Sequence, residues 1–253
     1  MNFPPQLHGA VRGHPYPLLF ATVSGAHLYG FPSPDSDWDL RGVHVLPARE
    51  VLGLHPTRDT ISAERLEGGL ELDLVTHDAA KFFSLMLRRN GYVLEQLHSP
   101  LVVHTTPEHA ELREIAQGCL TRHHAHHYLG FSANQWKMFE KETPRRIKPL
   151  LYTFRTLLTG LHLMRTGEIE ANLPVLNGEA RLPYLDELTE RKTTGAEHET
   201  LAGDVAFFEA EYQRLTGERV LARDTSALRH EVALETRQAL SDLLVRLRLE
   251  DTK

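Results

Sequence analysis

The sequence has a single cysteine, no long apolar run and no excess of positive charge. Cys119 has no second cysteine to pair with, and one thiol is too few for a thiolate metal centre. No apolar run approaches the roughly 20 residues that span a bilayer. Residues 1–13 lack the basic and apolar segments of a secretory signal. We therefore expect a cytoplasmic protein that does not associate with membranes.

The charge balance narrows the possible partners. The formal net charge is -6, which argues against a protein that coats nucleic acid through a uniformly basic surface. A local basic patch within an acidic protein remains compatible with binding RNA or a nucleotide.

Periodicity divides the 253 residues into two parts. A short apolar, partly β-branched run predicts a strand at residues 17–23, and alternating runs predict strands at residues 39–46 and 70–75. Helical spacing predicts helices near residues 79–87, 107–120, 122–139, 145–165 and 225–249. Residues 47–69, with a turn at Gly68 and Gly69, and residues 172–183 are predicted to be irregular. The fold class is therefore α+β: a mixed sheet with flanking helices in residues 1–104, followed by an all-helical part in residues 105–253.

A group of small residues follows the first predicted strand. Ser24, Gly25 and Ala26 allow the backbone to approach a ligand closely, and they come where a short helix is expected to begin. Backbone N–H groups at a helix start favour phosphate. These three residues are therefore candidates for binding a phosphate group.

Three carboxylates are the candidate catalytic residues. Asp37 and Asp39 are two residues apart, so on one strand their side chains would share a face. In the later strand, Glu71 and Asp73 share the face opposite the leucines, and either of them is a candidate third acid. Carboxylates are the ligands that Mg²⁺ prefers. An isolated Asp-x-Asp is more often part of a turn, and we interpret neighbouring Asp35 in that way.

These motifs resemble the DNA polymerase beta nucleotidyltransferase superfamily, and within it the RNA-ligase-associated (RlaP-type) family. The matching residues of the first motif are Ser24, Gly25, Gly30, Phe31, Ser33, Pro34, Asp35, Ser36, Asp37, Asp39 and Arg41. The resemblance continues through Leu72, Asp73, Lys81, Phe82, Leu87, Asn90, Leu94 and Glu95, and more loosely to Lys148, Tyr152 and Arg155.

The resemblance implies a transferase that moves a nucleoside monophosphate from an NTP such as ATP to an acceptor and releases pyrophosphate. It selects Asp73 over Glu71, and implies that Asp37, Asp39 and Asp73 bind Mg²⁺ or Mn²⁺. It also implies a helical lobe that closes over the nucleotide and acceptor. The first expected acceptor is an RNA end, such as that of tRNA, and the alternative acceptor is a protein side chain.

One position departs from the superfamily pattern. Ala26 stands where a serine commonly touches the triphosphate. The third alternative is therefore a nucleotide-binding or RNA-binding module whose active site has decayed. Retention of all three carboxylates argues against decay, because they repel one another without a cation.

Further candidate nucleotide contacts are Ser36 and Arg41 in the first motif and a basic face in the helical part. This face consists of Lys148, Tyr152 and Arg155, which have the spacing of one side of a helix. It is equally compatible with binding the triphosphate and base of a nucleotide and with a solvated basic surface. The histidines at positions 123, 124, 126 and 127 are interpreted as a polar helix face.

Overall fold

A five-stranded mixed sheet forms the first part of the fold in this computed structural model. The structure describes residues 3–55, 57–195, 200–201 and 205–250. The strands are β1 (Leu18–Val23), β2 (Trp38–His44), β3 (Thr60–Glu67), β4 (Leu70–Asp78) and β5 (Val102–Thr105). Their order across the sheet is β3-β4-β2-β1-β5, with β2 and β4 parallel and the other pairs antiparallel.

Twelve helices are present in the part of the chain that the structure describes. They are α1 (Pro5–Arg12), α2 (Gly25–Tyr29), α3 (Ala48–Leu52), α4 (Ala79–Leu87), α5 (Gly91–His98), α6 (Pro107–Gln117), α7 (His124–Lys141), α8 (Ile147–Thr166), α9 (Leu173–Ala180), α10 (Pro183–Thr194), α11 (Val205–Thr225) and α12 (Leu234–Glu250). None of these described helices is long and apolar enough to cross a membrane. The mixed sheet and the later helices confirm the α+β class.

The chain forms two compact units. The first consists of residues 1–25, 37–120 and 231–253, and it contains the sheet. One core of this unit lies where α1 packs on one face of the sheet. Its buried members are Leu7, Ala10, Leu18, Ala21, Val23, Leu40, Leu72 and Leu74. The alternating leucines of β4 thus provide the apolar face that their spacing predicts.

The second unit consists of residues 26–36 and 121–230. Its central element is α8, which is buried along most of its length and packs against α7, α9, α10 and α11. α8 ends at Thr166 and is capped by Gly167, whose left-handed conformation (φ 78°) is one that glycine adopts readily.

The two units are not the two parts predicted from the sequence, residues 1–104 and 105–253. α6 belongs to the unit with the sheet, and α12 returns to that unit from the end of the chain. Residues 26–36, which the prediction placed in the first part, belong to the helical unit. The roles assigned to the two predicted parts stay predictions.

Several local predictions were wrong. Residues 47–69 contain α3 and β3, and β3 was missed because this edge strand is exposed on both faces along most of its length. Residues 172–183 contain α9, which Asn172 caps with its side chain on the Val175 N–H. The final helix begins at Leu234, so residues 226–233 are not part of it.

Candidate active site

A sharp turn joins β1 to α2. Ser24 donates its backbone N–H to the Asp39 carbonyl at 2.8 Å, which ties the end of β1 to β2. Gly25 follows with φ of +60°, and a Cβ added there would overlap the Asp39 Oδ2 atom. α2 begins at Gly25, as the small residues predicted. The turn therefore requires glycine for its backbone conformation and for the space that the Asp39 carboxylate fills.

The hydroxyl of Ser24 is a buried polar group with an unused bonding capacity. Ser24 is fully buried, and its Oγ has no hydrogen-bond partner among the described residues. A buried hydroxyl without a partner costs free energy. This residue was predicted to contact the nucleotide, and that role stays a prediction.

Asp39 and Asp73 lie side by side on neighbouring strands. They are register partners in the parallel pair of β2 and β4, so their side chains leave the same face of the sheet. Leu72 and Leu74 point to the opposite, apolar face and are buried. The separation of acids from leucines in β4 confirms the predicted alternation.

Arg41 bridges the two carboxylates. Its Nη2 donates to Asp73 Oδ2 at 2.7 Å and to Asp39 Oδ1. Nη1 donates to the Asp73 carbonyl at 2.6 Å and to the Leu40 carbonyl at 3.2 Å. Burial opposes its charge, but Tyr92 and the two carboxylates outweigh burial and raise the pKa of the guanidinium. Arg41 is therefore a permanent cation between the two acids.

Tyr92 holds the guanidinium from its other end. Arg41 Nε donates to the Tyr92 hydroxyl at 3.1 Å. Tyr92 lies in the first turn of α5, and its N–H is accepted by the side chain of Asn90 at 3.0 Å. Asn90 is the N-cap of α5, and the preceding helix α4 is capped at Arg88. Nothing in the sequence had pointed to Tyr92.

A pocket of about 420 Å³ opens beside Asp73. It is lined by Asp37, Glu64, Arg65, Leu66, Glu71, Leu72 and Asp73. Asp37 lies one residue before β2 begins, so only Asp39 of the Asp-x-Asp pair is on the strand. Asp35 lies in a turn, as its position after Pro34 suggested. The pocket joins Asp37 and both rival third acids to one open surface.

Glu64 is an acidic member of this pocket that the sequence interpretation missed. It is the register partner of Asp73 in the antiparallel pair of β3 and β4. The turn at Gly68 and Gly69 fixes this register, because Glu67 pairs with Leu70 and the strands run back from there. Counting back from that turn would have placed Glu64 opposite Asp73.

The carboxylates suit a divalent ion that binds together with a substrate. Asp39 and Asp73 already share a cation, and Mg²⁺ commonly takes one or two carboxylates and completes its shell with water and substrate phosphates. Among the described residues, no group of three His, Cys, Asp or Glu side chains is arranged to hold a metal ion by itself. The donor set therefore fits Mg²⁺ or Mn²⁺ on a nucleotide better than a metal enclosed by protein.

In the helical unit, Arg155 and Tyr152 form an aromatic and cationic cluster with α2. Arg155 is buried, and its guanidinium carbon lies 3.7 Å from the centre of the Tyr29 ring. Tyr152 packs edge-on against Tyr29 and Phe31 with ring centres 5.4 Å and 5.6 Å apart. Lys148 Nζ lies 5.9 Å from the Tyr152 ring. The three predicted residues of α8 are thus close together, with Arg155 buried beneath an aromatic ring.

The loop that leads to Asp37 is held by a buried lysine. Lys192 is fully buried and donates to Ser33 Oγ at 2.6 Å. Ser36 Oγ lies 2.9 Å from Ser33 Oγ and accepts the Ser33 N–H at 2.9 Å. Ser36 therefore contributes to the shape of its own loop, and its predicted contact with nucleotide stays a prediction. Lys192 had no distinguishing signal in the sequence.

The predicted site residues are divided between the two units. The first unit holds Ser24, Gly25, Asp37, Asp39, Arg41 and Asp73. The second unit holds Ala26, Ser36, Lys148, Tyr152 and Arg155. Within the first unit, the turn, Asp39, Asp73 and Arg41 are in direct contact, while Asp37 shares the pocket with Asp73.

Cys119 is a small core residue. It is fully buried, and burial raises the pKa of its thiol to about 11 despite the nearby Arg237. A thiol of this kind is a poor nucleophile at neutral pH.

Two curated proteins resemble this chain, and both are uncharacterised. One, from Methanocaldococcus jannaschii, is 30% identical over 156 residues, which cover 61% of this chain and 63% of that protein. This match spans less than two thirds of the archaeal protein. The other, from Bacillus subtilis, is 28% identical over 211 residues, which cover 78% of this chain and 79% of that protein.

Among solved structures, a nucleotidyltransferase-like protein from Exiguobacterium sibiricum aligns over 98% of this chain and 79% of its own. The TM-score is 0.34 and the identity 10%, and a likeness at this level carries no argument. The family comparison is decisive. The sequence model of the RNA repair pathway DNA polymerase beta family, RlaP, matches residues 5–246. The chain therefore belongs to the RlaP family of DNA polymerase beta-type proteins.

Proposed function

We propose that this protein is a metal-dependent nucleotidyltransferase that adds a nucleoside monophosphate to an RNA end. Membership of a DNA polymerase beta family supports nucleotidyl transfer, and the description of that family as part of an RNA repair pathway supports RNA as the acceptor. The observation that carries the proposal is the pairing of Asp39 with Asp73 on adjacent parallel strands. Both carboxylates bind the guanidinium of Arg41 there.

Each acid has a distinct task in the proposed reaction. Asp37 and Asp39 would hold the divalent metal, and Asp73 would complete its protein ligands and help to take up the proton of the acceptor hydroxyl. Mg²⁺ or Mn²⁺ bound by these carboxylates supplies activation of the attacking oxygen and stabilisation of the departing charge. The acceptor oxygen forms a bond to the α-phosphorus, the bond to the bridging oxygen breaks, and pyrophosphate leaves.

The remaining predicted residues serve the nucleotide. Gly25 leaves room for the Asp39 carboxylate, and the unpaired hydroxyl of Ser24 offers one further polar contact beside it. Ala26, Ser36, Lys148, Tyr152 and Arg155 are assigned to the triphosphate and base on the family resemblance. Arg41 was included with them, and its contacts with Asp39 and Asp73 favour a role in positioning the carboxylates.

The test is incubation with each labelled NTP, Mg²⁺ and either total RNA or cell protein. We expect label in the RNA fraction, dependent on the metal. Label in protein would instead establish the alternative, a protein-nucleotidylating enzyme. No transfer to either fraction, with nucleotide still bound, would identify a decayed module.

Substitution of the three carboxylates tests whether the measured transfer belongs to this site and not to a contaminating enzyme. Asp37→Asn, Asp39→Asn and Asp73→Asn should each lower transfer at least about 100-fold, because each removes a charge that the metal needs. Asp35→Asn is the matched control, since it changes a turn residue two positions from Asp37 and should leave transfer intact. Full activity in Asp39→Asn or Asp73→Asn would show that the site lies elsewhere.

A further inference from the structure

The hydrogen bonds of Arg41 are fully used within the protein. A guanidinium has five N–H donors. Nε donates to Tyr92, Nη1 donates to the carbonyls of Leu40 and Asp73, and Nη2 donates to the carboxylates of Asp39 and Asp73. No donor of Arg41 is left for a phosphate in this arrangement. The side chain acts here on the carboxylates and not on a ligand.

The position of this cation matters for any ion that enters the site. Arg41 Nη2 lies between Asp39 Oδ1 and Asp73 Oδ2 and neutralises part of their charge. A divalent ion that bound both carboxylates would compete for these same oxygens and would be repelled by the guanidinium. An ion that arrives on a triphosphate brings compensating negative charge, so the repulsion is smaller.

We propose, as an extension of the proposed function, that Arg41 is a built-in counter-cation. It holds Asp39 and Asp73 together in the metal-free protein and weakens their binding of free divalent ions, so that metal enters together with the nucleotide. Tyr92 is a second positioning residue, because its hydroxyl fixes the guanidinium at Nε, and Asn90 fixes Tyr92 at the start of α5.

The test is a titration of the protein with Mn²⁺ in the absence of nucleotide. Electron paramagnetic resonance measures the concentration of free Mn²⁺ at each step. Arg41→Met removes the charge while keeping an unbranched side chain, and we expect it to bind Mn²⁺ about tenfold more tightly than the natural protein. Arg65→Met is the matched control, because Arg65 lines the same pocket beside Asp73. It should change Mn²⁺ affinity by less than about twofold.

Two results would overturn the inference: equal Mn²⁺ affinity in Arg41→Met and the natural protein, or an equal gain in Arg65→Met. Circular dichroism reports whether Arg41→Met is folded. If it is not, Tyr92→Phe carries the test, since it keeps the charge and removes only the bond to Nε. We expect Tyr92→Phe to bind Mn²⁺ about threefold more tightly, and an unchanged affinity would contradict the inference.

Asp73→Asn distinguishes this inference from the proposed function. Mn²⁺ binding that is lost in Asp73→Asn but insensitive to Arg41 would reject the counter-cation and leave the metal site standing. If no variant shows Mn²⁺ binding that depends on Asp73, with or without an NTP, both the counter-cation and the proposed metal site are rejected.

Discussion

At the scale of single residues, the site depends on close approach between a backbone and a carboxylate. Gly25 has a left-handed conformation, and its Cα faces the Asp39 carboxylate with no room for a Cβ. Asp39 is held on its other side by Arg41. The carboxylate is therefore confined between the turn after β1 and the guanidinium.

Gly25→Ala should displace the Asp39 carboxylate and lower nucleotidyl transfer about 100-fold, because small displacements of catalytic groups are that costly. It should also lower the free energy of unfolding by about 1–2 kcal/mol through its positive φ. Transfer kinetics and urea unfolding measure the two effects separately.

Gly69→Ala is the control for backbone strain. Gly69 has φ of +81° at the turn between β3 and β4, and a Cβ there meets nothing within 4 Å. Gly69→Ala should lose about 1–2 kcal/mol of stability through its positive φ and should keep its activity. Comparable activity loss in both variants would show that strain, and not the collision with Asp39, causes the defect.

At the scale of elements, a buried ion pair attaches α12 to the sheet unit. Arg248 donates to Asp78 Oδ2 at 2.6 Å and to the Leu46 carbonyl, and both charged side chains are almost completely buried. Asp78 also accepts the N–H groups of Leu46 and Ala80. This one carboxylate joins the segment that follows β2, the start of α4 and the last turn of α12.

Arg248→Ala should lower the free energy of unfolding by about 3–5 kcal/mol, because it leaves the Asp78 carboxylate buried without its counter-charge. Urea denaturation measures this loss. Arg246→Ala is a control on the same helix: Arg246 pairs with Glu111 at the surface, and its loss should cost less than about 1 kcal/mol. Equal losses would mean that general packing of α12, not the ion pair, stabilises this contact.

The cap of α5 gives a smaller element-scale prediction. Asn90→Ala removes the acceptor of the Tyr92 N–H and should lower the free energy of unfolding by about 1 kcal/mol. Asn90→Ser restores an N-cap acceptor and should recover most of that loss in thermal unfolding. A neutral effect of Asn90→Ala would show that the cap contributes nothing to α5.

Helices and strands with a clear apolar periodicity were predictable from the sequence. Exposed strands and short helices rich in turn-forming residues were not. β4 was predictable because its leucines and acids alternate, and α4 because Asp78 precedes an apolar helical run. β3 has little apolar character, since the sheet buries few of its side chains. α9 is short and rich in turn-forming residues, so local composition obscured it.

The same limit applies to the site. The face shared by Asp39 and Asp73 follows from strand alternation together with the family resemblance. The contact between Arg41 and Tyr92 joins residues 51 positions apart on a strand and a helix, so no local pattern encodes it. The placement of Ser33 against Lys192 has a separation of 159 positions and is likewise a product of tertiary packing.

At the scale of the whole molecule, the histidines make stability sensitive to acid. Among the described residues, desolvation by burial lowers the pKa of six histidines: His14, His44, His77, His98, His109 and His127. Burial together with nearby His14 lowers the pKa of His44 from 6.5 to about 4. The unfolded chain therefore binds protons that the folded protein excludes as the pH falls from about 6.5 to about 4.

The contribution of these neutral histidines to the free energy of unfolding should consequently be complete above pH 7. It should decrease as the pH is lowered through this window. His44 alone should account for about 2 kcal/mol between pH 7 and pH 5. His44→Gln should flatten the pH dependence of urea unfolding by about that amount, while His55→Gln, at an exposed position, should not. Parallel pH profiles for the natural protein and His44→Gln would contradict this assignment.

The parallel pairing of β2 with β4 also restricts how the chain tolerates changes of length. One residue inserted between Leu70 and Asp73 would turn the acid toward the apolar interior and bring a leucine to the surface. An insertion at Gly68 or Gly69 would instead shift Glu64 out of register with Asp73. Asp73 would still lie opposite Asp39. Insertions and deletions among natural members of the family should therefore occur at the turn before β4 and avoid β4 itself.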